Sequence, residues 1–439
     1  MKPEKIKSLD KAHIMHSWSV QSQLDPLAFD HGKGAVMWDV DGNRYLDFSS
    51  QLVNLNIGHQ HPYVVNAIKE WSERCCYINP AYAYESRSLL GEKLSQITPD
   101  NINHFFFTLS GAESNENAIK MARQYTGKHK IISRYRSYHG ASMGAISITG
   151  DPRRWPMEPG ISGTLKVFDP YCYRCSFGLE HPSCNLRCVE NIREVMMYEG
   201  AKDHVAAIFV ESVTGTNGLL VPPDGYFQRL REICDEFDVL LICDEVMSGF
   251  GRTGKWFACD NWGVKPDIIT MAKGLTCGYV PMGALGVSDK IADYFQDKML
   301  WCGLTYNNHP LCCGAAVACL EVYEKENLIQ RSKELGDLCM GELQKLMEKH
   351  KCVGDVRGIG LFQILELVKD KQSREPISDF NTTNDIVKGA VKRLKQGGVL
   401  TLTHWNTIFV APPLVITEEE LREGLAVIDE VLTWVDTQI

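Results

Sequence analysis

The stretch VLLICDEVMSGFGRTGKWFACDNWGVKPDIITMAKGLTCGYVP, residues Val239 to Pro281, decides the fold. Val239 to Cys243 is a near-continuous apolar and β-branched run, the pattern of a parallel strand buried on both faces, and it ends in Asp244-Glu245. Ile268 to Met271 repeats that pattern and ends in Ala272-Lys273-Gly274. In open α/β sheets, ligands gather beyond the carboxyl ends of the strands. An acid and an amine at two such ends can therefore face one ligand.

The chemistry that uses this pair is pyridoxal phosphate catalysis, in which a lysine forms a Schiff base and an acid keeps the pyridine nitrogen protonated. Lys273 takes the first role and Asp244 the second. Each residue alone reads more readily as a solvated lysine or as a loop or helix cap. The frame separates the readings: DEVMSGFGRTG followed by PDIITMAKGL resembles the signature of class III (fold type I) aminotransferases. The resemblance implies an α/β architecture. A large, mostly parallel-sheet domain over residues 61–315 binds the cofactor, and residues 1–60 and 316–439 form a smaller α/β domain.

Working outward, His104 to Thr108 reads as a strand that runs into SGAESNENAIKMARQYTG, an amphipathic helix with a small, polar start. Backbone amides at a helix start bind phosphate without a charged side chain, so Ser110, Gly111 and Ala112 form the expected phosphate cradle. The segment resembles the family's SG-x-EANE motif, with Ser114 in place of alanine. Lys130 to Tyr135 is the next strand, and Tyr138-His139-Gly140 matches the family's YHG. That match implies that Tyr138 stacks on one ring face, with His139 beside it. His204 to Val210 reads as a further strand ending in Glu211, which lies near the cofactor in relatives. Val246 occupies the position that packs on the opposite ring face. Gly249, Gly251 and Gly254 predict a close, flexible loop.

Residues 301–310, WCGLTYNNHP, resemble G-x-T-Y-S-G-HP, a segment that supplies a threonine to the phosphate of a neighbouring subunit. Thr305 takes that role, although Asn307-Asn308 replace the usual Ser-Gly. The resemblance therefore implies a homodimer or a dimer of dimers.

For substrate, the chain looks most like the taurine-specific members of the family. Arg153, after a Gly-Asp-Pro turn, is expected to bind the donor's sulfonate, and Trp18 to wall the pocket. The expected partners are a small amine donor and an oxo acid, 2-oxoglutarate ahead of pyruvate. β-Alanine or γ-aminobutyrate as donor, and an aminomutase, are the alternatives. Amine-pyruvate relatives carry an arginine shortly before the VAPPL-type strand, but TLTHWNTIFVAPPL has none. His404, Trp405 or Arg153 must replace it.

The 439 residues carry 46 basic and 55 acidic side chains, a net charge of -9, which disfavours binding to nucleic acid or an acidic membrane. No apolar run has the length of a signal peptide or membrane span, so a cytoplasmic protein is expected. Sixteen cysteines then read as mostly reduced thiols. Cys172, Cys175, Cys184 and Cys188 have zinc-compatible C-x2-C and C-x3-C spacing, and zinc, a disulfide and free thiols all stay open. No metal is assigned to the catalytic site.

At the ends of the chain, AVMWDVDGNRYLDFSS predicts a hairpin. A long helical pattern follows Pro310, with strands expected over 353–368 and 399–410 and helices over 383–396 and 418–437.

Overall fold

The computed structural model describes residues 2–439. Its largest sheet has seven strands, in spatial order Ile102–Thr108, Gly283–Ser288, Ile268–Met271, Leu240–Asp244, Val205–Glu211, Lys130–Arg134 and Thr164–Val167. The last five run parallel, and Gly283–Ser288 is antiparallel to both neighbours. Every residue of Val205–Glu211, Leu240–Asp244 and Ile268–Met271 is buried, as expected for strands covered by helices on both faces. The register sets Glu211 opposite Asp244 and Asp244 opposite Thr270. Two acids thus share one sheet edge, and Lys273 follows three residues beyond it.

Val36–Asp39 and Arg44–Asp47 form the expected hairpin, whose turn is closed by Asp39 Oδ1 accepting the amides of Asp41 at 3.0 Å and Asn43 at 2.8 Å. Val399–Leu400 lies parallel to Arg44–Asp47, so the two ends of the chain share one sheet.

Three expected elements are divided by single residues in left-handed backbone. The span 353–368 becomes a hairpin, Val353–Ile359 with Phe362–Asp370, turning at Gly360 (φ 59°). The span 399–410 breaks into three short strands. The first joins the N-terminal sheet, and the other two, turning at Trp405 (φ 55°), join the sheet of Val353–Asp370. The helical pattern after Pro310 becomes Pro310–Lys325 and Leu328–Lys349, separated at Asn327 (φ 50°). The two C-terminal helices, Asp385–Gln396 and Glu418–Asp436, are capped by Asn384 and by a Thr417/Glu420 capping box. Among the described residues, no helix is long and apolar enough to cross a membrane.

The glycine-rich loop after Asp244 is close, as expected, and is anchored by a buried side chain. Gly251 and Gly254 adopt positive φ (87° and 74°), and Arg252 between them is fully buried. Its guanidinium donates to Asn56 Oδ1 (3.1 and 2.9 Å), Ser50 Oγ (2.7 Å) and the carbonyls of Leu361 (3.1 Å) and Pro412 (2.6 Å). Burial pulls its pKa down to about 10, still well above neutrality. One cation thus pins the loop to both chain ends through neutral acceptors alone. Removing it strands those acceptors, so Arg252→Ala should lower the stability of the fold by about 3 kcal/mol or more. Arg252→Lys should fail to restore it, because an ammonium cannot span the same acceptors. Denaturant midpoints of the three proteins measure this, and a wild-type midpoint for the alanine variant contradicts it.

Candidate active site

Beyond the carboxyl ends of the strands lies a cavity of about 270 Å3, lined by residues that include Gly111, Tyr138, Glu211, Asp244, Val246 and Lys273. Larger hollows of about 380 and 420 Å3 open elsewhere, but neither contains Lys273.

Asp244 is the fixed point of this cavity. It is buried, and its Oδ2 faces His139 Nδ1 at 2.7 Å and accepts from Asn115 Nδ2 at 2.9 Å, while Oδ1 accepts the Val246 amide at 3.0 Å. His139 packs edge-on against Phe209, and its buried Nε2 has no partner. Glu211 accepts the Tyr138 amide at 3.0 Å and the Gly215 amide at 2.7 Å, and burial raises its pKa. Its carboxylate therefore places the aromatic residue.

Lys273 carries a positive φ of 44°, a backbone strain found at functional sites. Its Nζ makes neither a hydrogen bond nor an ion pair within the described chain. Burial pulls its pKa down to about 8, against the opposing influence of Glu211 and Asp244. An amine so placed is largely neutral just above that pH, and thus nucleophilic.

The helix Gly111–Thr126 begins at the cavity. Ser110 caps it by accepting the Glu113 amide at 3.2 Å, which leaves the Gly111 and Ala112 amides for a ligand. A Cβ on Gly111 would lie 2.8 Å from Val246, so the close approach of helix and strand end requires glycine. Ser114, the departure from the family motif, is fully buried. It bonds to Thr108 Oγ1 at 2.8 Å and the Met271 carbonyl at 3.3 Å, tying the helix to the sheet. An unpartnered lysine amine, an anchored acid, free helix-start amides and an aromatic wall fit pyridoxal phosphate.

The structure also brings Trp18, Tyr138 and Arg153 together. The Arg153 guanidinium sits 3.7 Å from the Tyr138 ring centroid and 5.6 Å from that of Trp18, and the two rings are edge-on at 6.4 Å. Arg153 is not a free fork, however. Its Nε donates to Asp151 Oδ2 at 2.8 Å, Nη2 bonds to the same oxygen, and Nη1 remains for a ligand. Thr305 is exposed and stands apart from this chain's cavity, its carbonyl accepting from Tyr77 at 2.8 Å.

Cys172, Cys175, Cys184 and Cys188 are free thiols. Burial raises Cys172 and pushes Cys188 up to about 12, with the neighbouring thiols adding to both. Among the described residues no three His, Cys, Asp or Glu side chains are arranged to hold a metal ion.

Sequence reading missed Asn115, Asp151, Thr216 and Met247. Asn115 had a signal, since it lies four residues after Gly111 and so shares its helix face. The others contact the site from loops, where spacing carries no such information.

A family model described as aminotransferase class III matches residues 18–432. A leucine/methionine racemase of Thermococcus litoralis is 39% identical over 402 residues, covering 91% of this chain and 89% of that protein. A taurine–pyruvate aminotransferase of Bilophila wadsworthia is 34% identical, covering 98% and 97%. The crystal structure of taurine:2-oxoglutarate aminotransferase from Bifidobacterium kashiwanohense, in complex with pyridoxal phosphate and glutamate, superposes with a TM-score of 0.96 at 42% identity, covering 100% of this chain and 99% of that one.

The depressed Lys273 pKa gives a testable pH dependence. Only the neutral amine attacks an aldehyde, so the rate at which apoprotein captures pyridoxal phosphate should rise with pH and level off above about 8. Stopped-flow absorbance between pH 6 and 10 measures this, and a rate still climbing steeply at pH 10 contradicts the depressed value.

Proposed function

The chain belongs to the class III aminotransferases, and from that membership we propose that it moves the amino group of taurine to 2-oxoglutarate. It is a pyridoxal phosphate-dependent enzyme of that family. The unpartnered Lys273 amine in the same cavity as the anchored Asp244 carries the catalytic part of this reading. The substrate part rests on the cationic and aromatic stack of Arg153, Tyr138 and Trp18.

Pyridoxal phosphate, when bound, supplies an electron-poor ring that accepts the electron pair of the donor's broken C–H bond and keeps the amino group until an oxo acid takes it. Lys273 would hold the cofactor through its amine. With a donor amine in its place, the Lys273 Nζ would be free to move a proton at the donor carbon. Asp244 would keep the cofactor's ring nitrogen protonated, with His139 and Asn115 fixing the carboxylate's orientation. Tyr138 and Val246 would flank the cofactor ring, Glu211 places Tyr138 through its amide, and Ser110, Gly111 and Ala112 would hold the phosphate. Arg153 meets the sulfonate with its free Nη1, and Trp18 limits the pocket.

Thr305 completes the phosphate site of a second copy. Support comes from a band of exposed apolar side chains around it, Tyr77, Tyr82, Met299, Trp301 and Tyr306, with the rings of Tyr77 and Tyr306 6.0 Å apart. Such a band on a soluble chain marks a contact surface. A homodimer is then the smallest complete enzyme.

Taurine added without an oxo acid should yield one equivalent of the sulfonated aldehyde per site and abolish the visible cofactor band. Subsequent 2-oxoglutarate should restore the band and yield glutamate. Product beyond one equivalent without an acceptor contradicts the proposal, and so does the racemisation of an amino acid with no net transfer. Arg153→Ala should raise the taurine KM by about tenfold or more, as expected for a lost charged contact. A change within twofold removes the sulfonate assignment.

A further inference from the structure

2-Oxoglutarate carries one carboxylate more than taurine carries anions. Arg153 has a single free donor, and the segment 401–407 contains no arginine. We infer that Arg136, on the turn that leads to Tyr138, receives the distal carboxylate of the dicarboxylic acceptor. This rests on the reading of 2-oxoglutarate as acceptor and adds to it the group that recognises the second anion.

Arg136 stands out because its charge is unspent. Around it, Arg153 pairs with Asp151, Arg174 with Glu366, and Arg357 with Asp355 and Glu366. The guanidinium of Arg136 forms no ion pair, and its hydrogen bond, from Nη1 to the Asn217 carbonyl, is long at 3.4 Å. Asp169 does accept from Arg136 at 3.0 and 3.2 Å, but from its backbone amide. The side chain is half-buried, with its guanidinium carbon 4.9 Å from the Tyr171 ring centroid and 5.6 Å from those of Phe380 and Trp405. Aromatic faces hold a guanidinium in place without using its N–H donors. The fork thus stays available to pair bidentately with a carboxylate.

Arg136 reaches the cavity wall through one neighbour. Arg136 contacts Asn217, the residue after the cavity-lining Thr216. Asn217 in turn donates to Asp151 at 3.2 Å, and Asp151 holds Arg153 against Tyr138. His404 stands beside Trp405, its buried Nε2 without a partner. Burial and then Arg153 and Arg136 press its pKa down to about 4, against the opposing charge of Asp151, so it is a neutral imidazole between two guanidinium groups. The aromatic box of Arg136 is built from Trp405 of that same arginine-free segment. The cation needed there has moved from the C-terminal segment to the turn before the stacking tyrosine.

The test separates acceptors by their charge. In Arg136→Gln the 2-oxoglutarate KM should rise about ten- to a hundredfold, while the pyruvate KM and the taurine half-reaction stay within about twofold. Arg136→Lys, which keeps the charge and loses the fork, should fall between. An unchanged 2-oxoglutarate KM, or equal losses with pyruvate and taurine, overturns the inference.

Glutarate gives an independent reading, since it carries both carboxylates and cannot accept an amine. Its inhibition constant against the taurine half-reaction should be at least about tenfold weaker in Arg136→Gln, and equal constants overturn the inference. Wild-type protein that reacts with pyruvate and not with 2-oxoglutarate removes the acceptor assignment alone, and the glutarate comparison then still decides Arg136. An unaltered cofactor band and thermal midpoint in both variants exclude a folding defect.

Discussion

A buried carboxylate is tolerated only when its oxygens are answered, and Asp244 is answered by three groups from three parts of the chain. Asn115 comes from the helix that starts at the cavity, His139 from the turn after Lys130–Arg134, and the Val246 amide from the loop beyond its own strand. Each of these brings a further cavity-lining feature with it. The helix brings the Gly111 and Ala112 amides, the turn brings Tyr138, and the loop brings the Val246 side chain. Fixing one acid therefore fixes most of the pocket, and Lys273 is left as the strained, unpartnered amine that faces it.

A second constraint acts at the boundary between the large sheet and the chain ends. Arg252 spends its donors on neutral acceptors from residues 50–56, 361 and 412, so the loop after Asp244 cannot shift without disturbing both termini. The substrate end of the cavity is built differently. The guanidinium groups of Arg153 and Arg136 are held by one buried acid, Asp151, and by aromatic rings.

How far the sequence could be read follows from where each signal lies. Lys273, Asp244 and Glu211 sit at ends of apolar runs, and a run buried on both faces announces its own end. Ser110 to Ala112 likewise open a helix with clear periodicity. Trp405, Asn327 and Gly360 were not legible as breaks, because a left-handed residue leaves the hydrophobic pattern around it nearly intact. Arg252 read as part of a flexible glycine loop, since a buried cation bonded to carbonyls has no partner visible in the pattern. The pairing of Arg153 with Asp151, two residues away, is hidden for the same reason, because it depends on the turn between them. The unpaired state of Arg136 is invisible in the sequence, because it is defined by which arginines around it are already paired.

Everything proposed for the cavity depends on Lys273, facing Asp244, being the residue that holds the cofactor. Reduction of the cofactor-loaded protein with borohydride, followed by peptide mass mapping, tests it directly. A pyridoxyl group is expected on the peptide containing Lys273, at about one per chain and absent in Lys273→Ala. A pyridoxyl group on another lysine, or none on any peptide of a fully loaded protein, would contradict it.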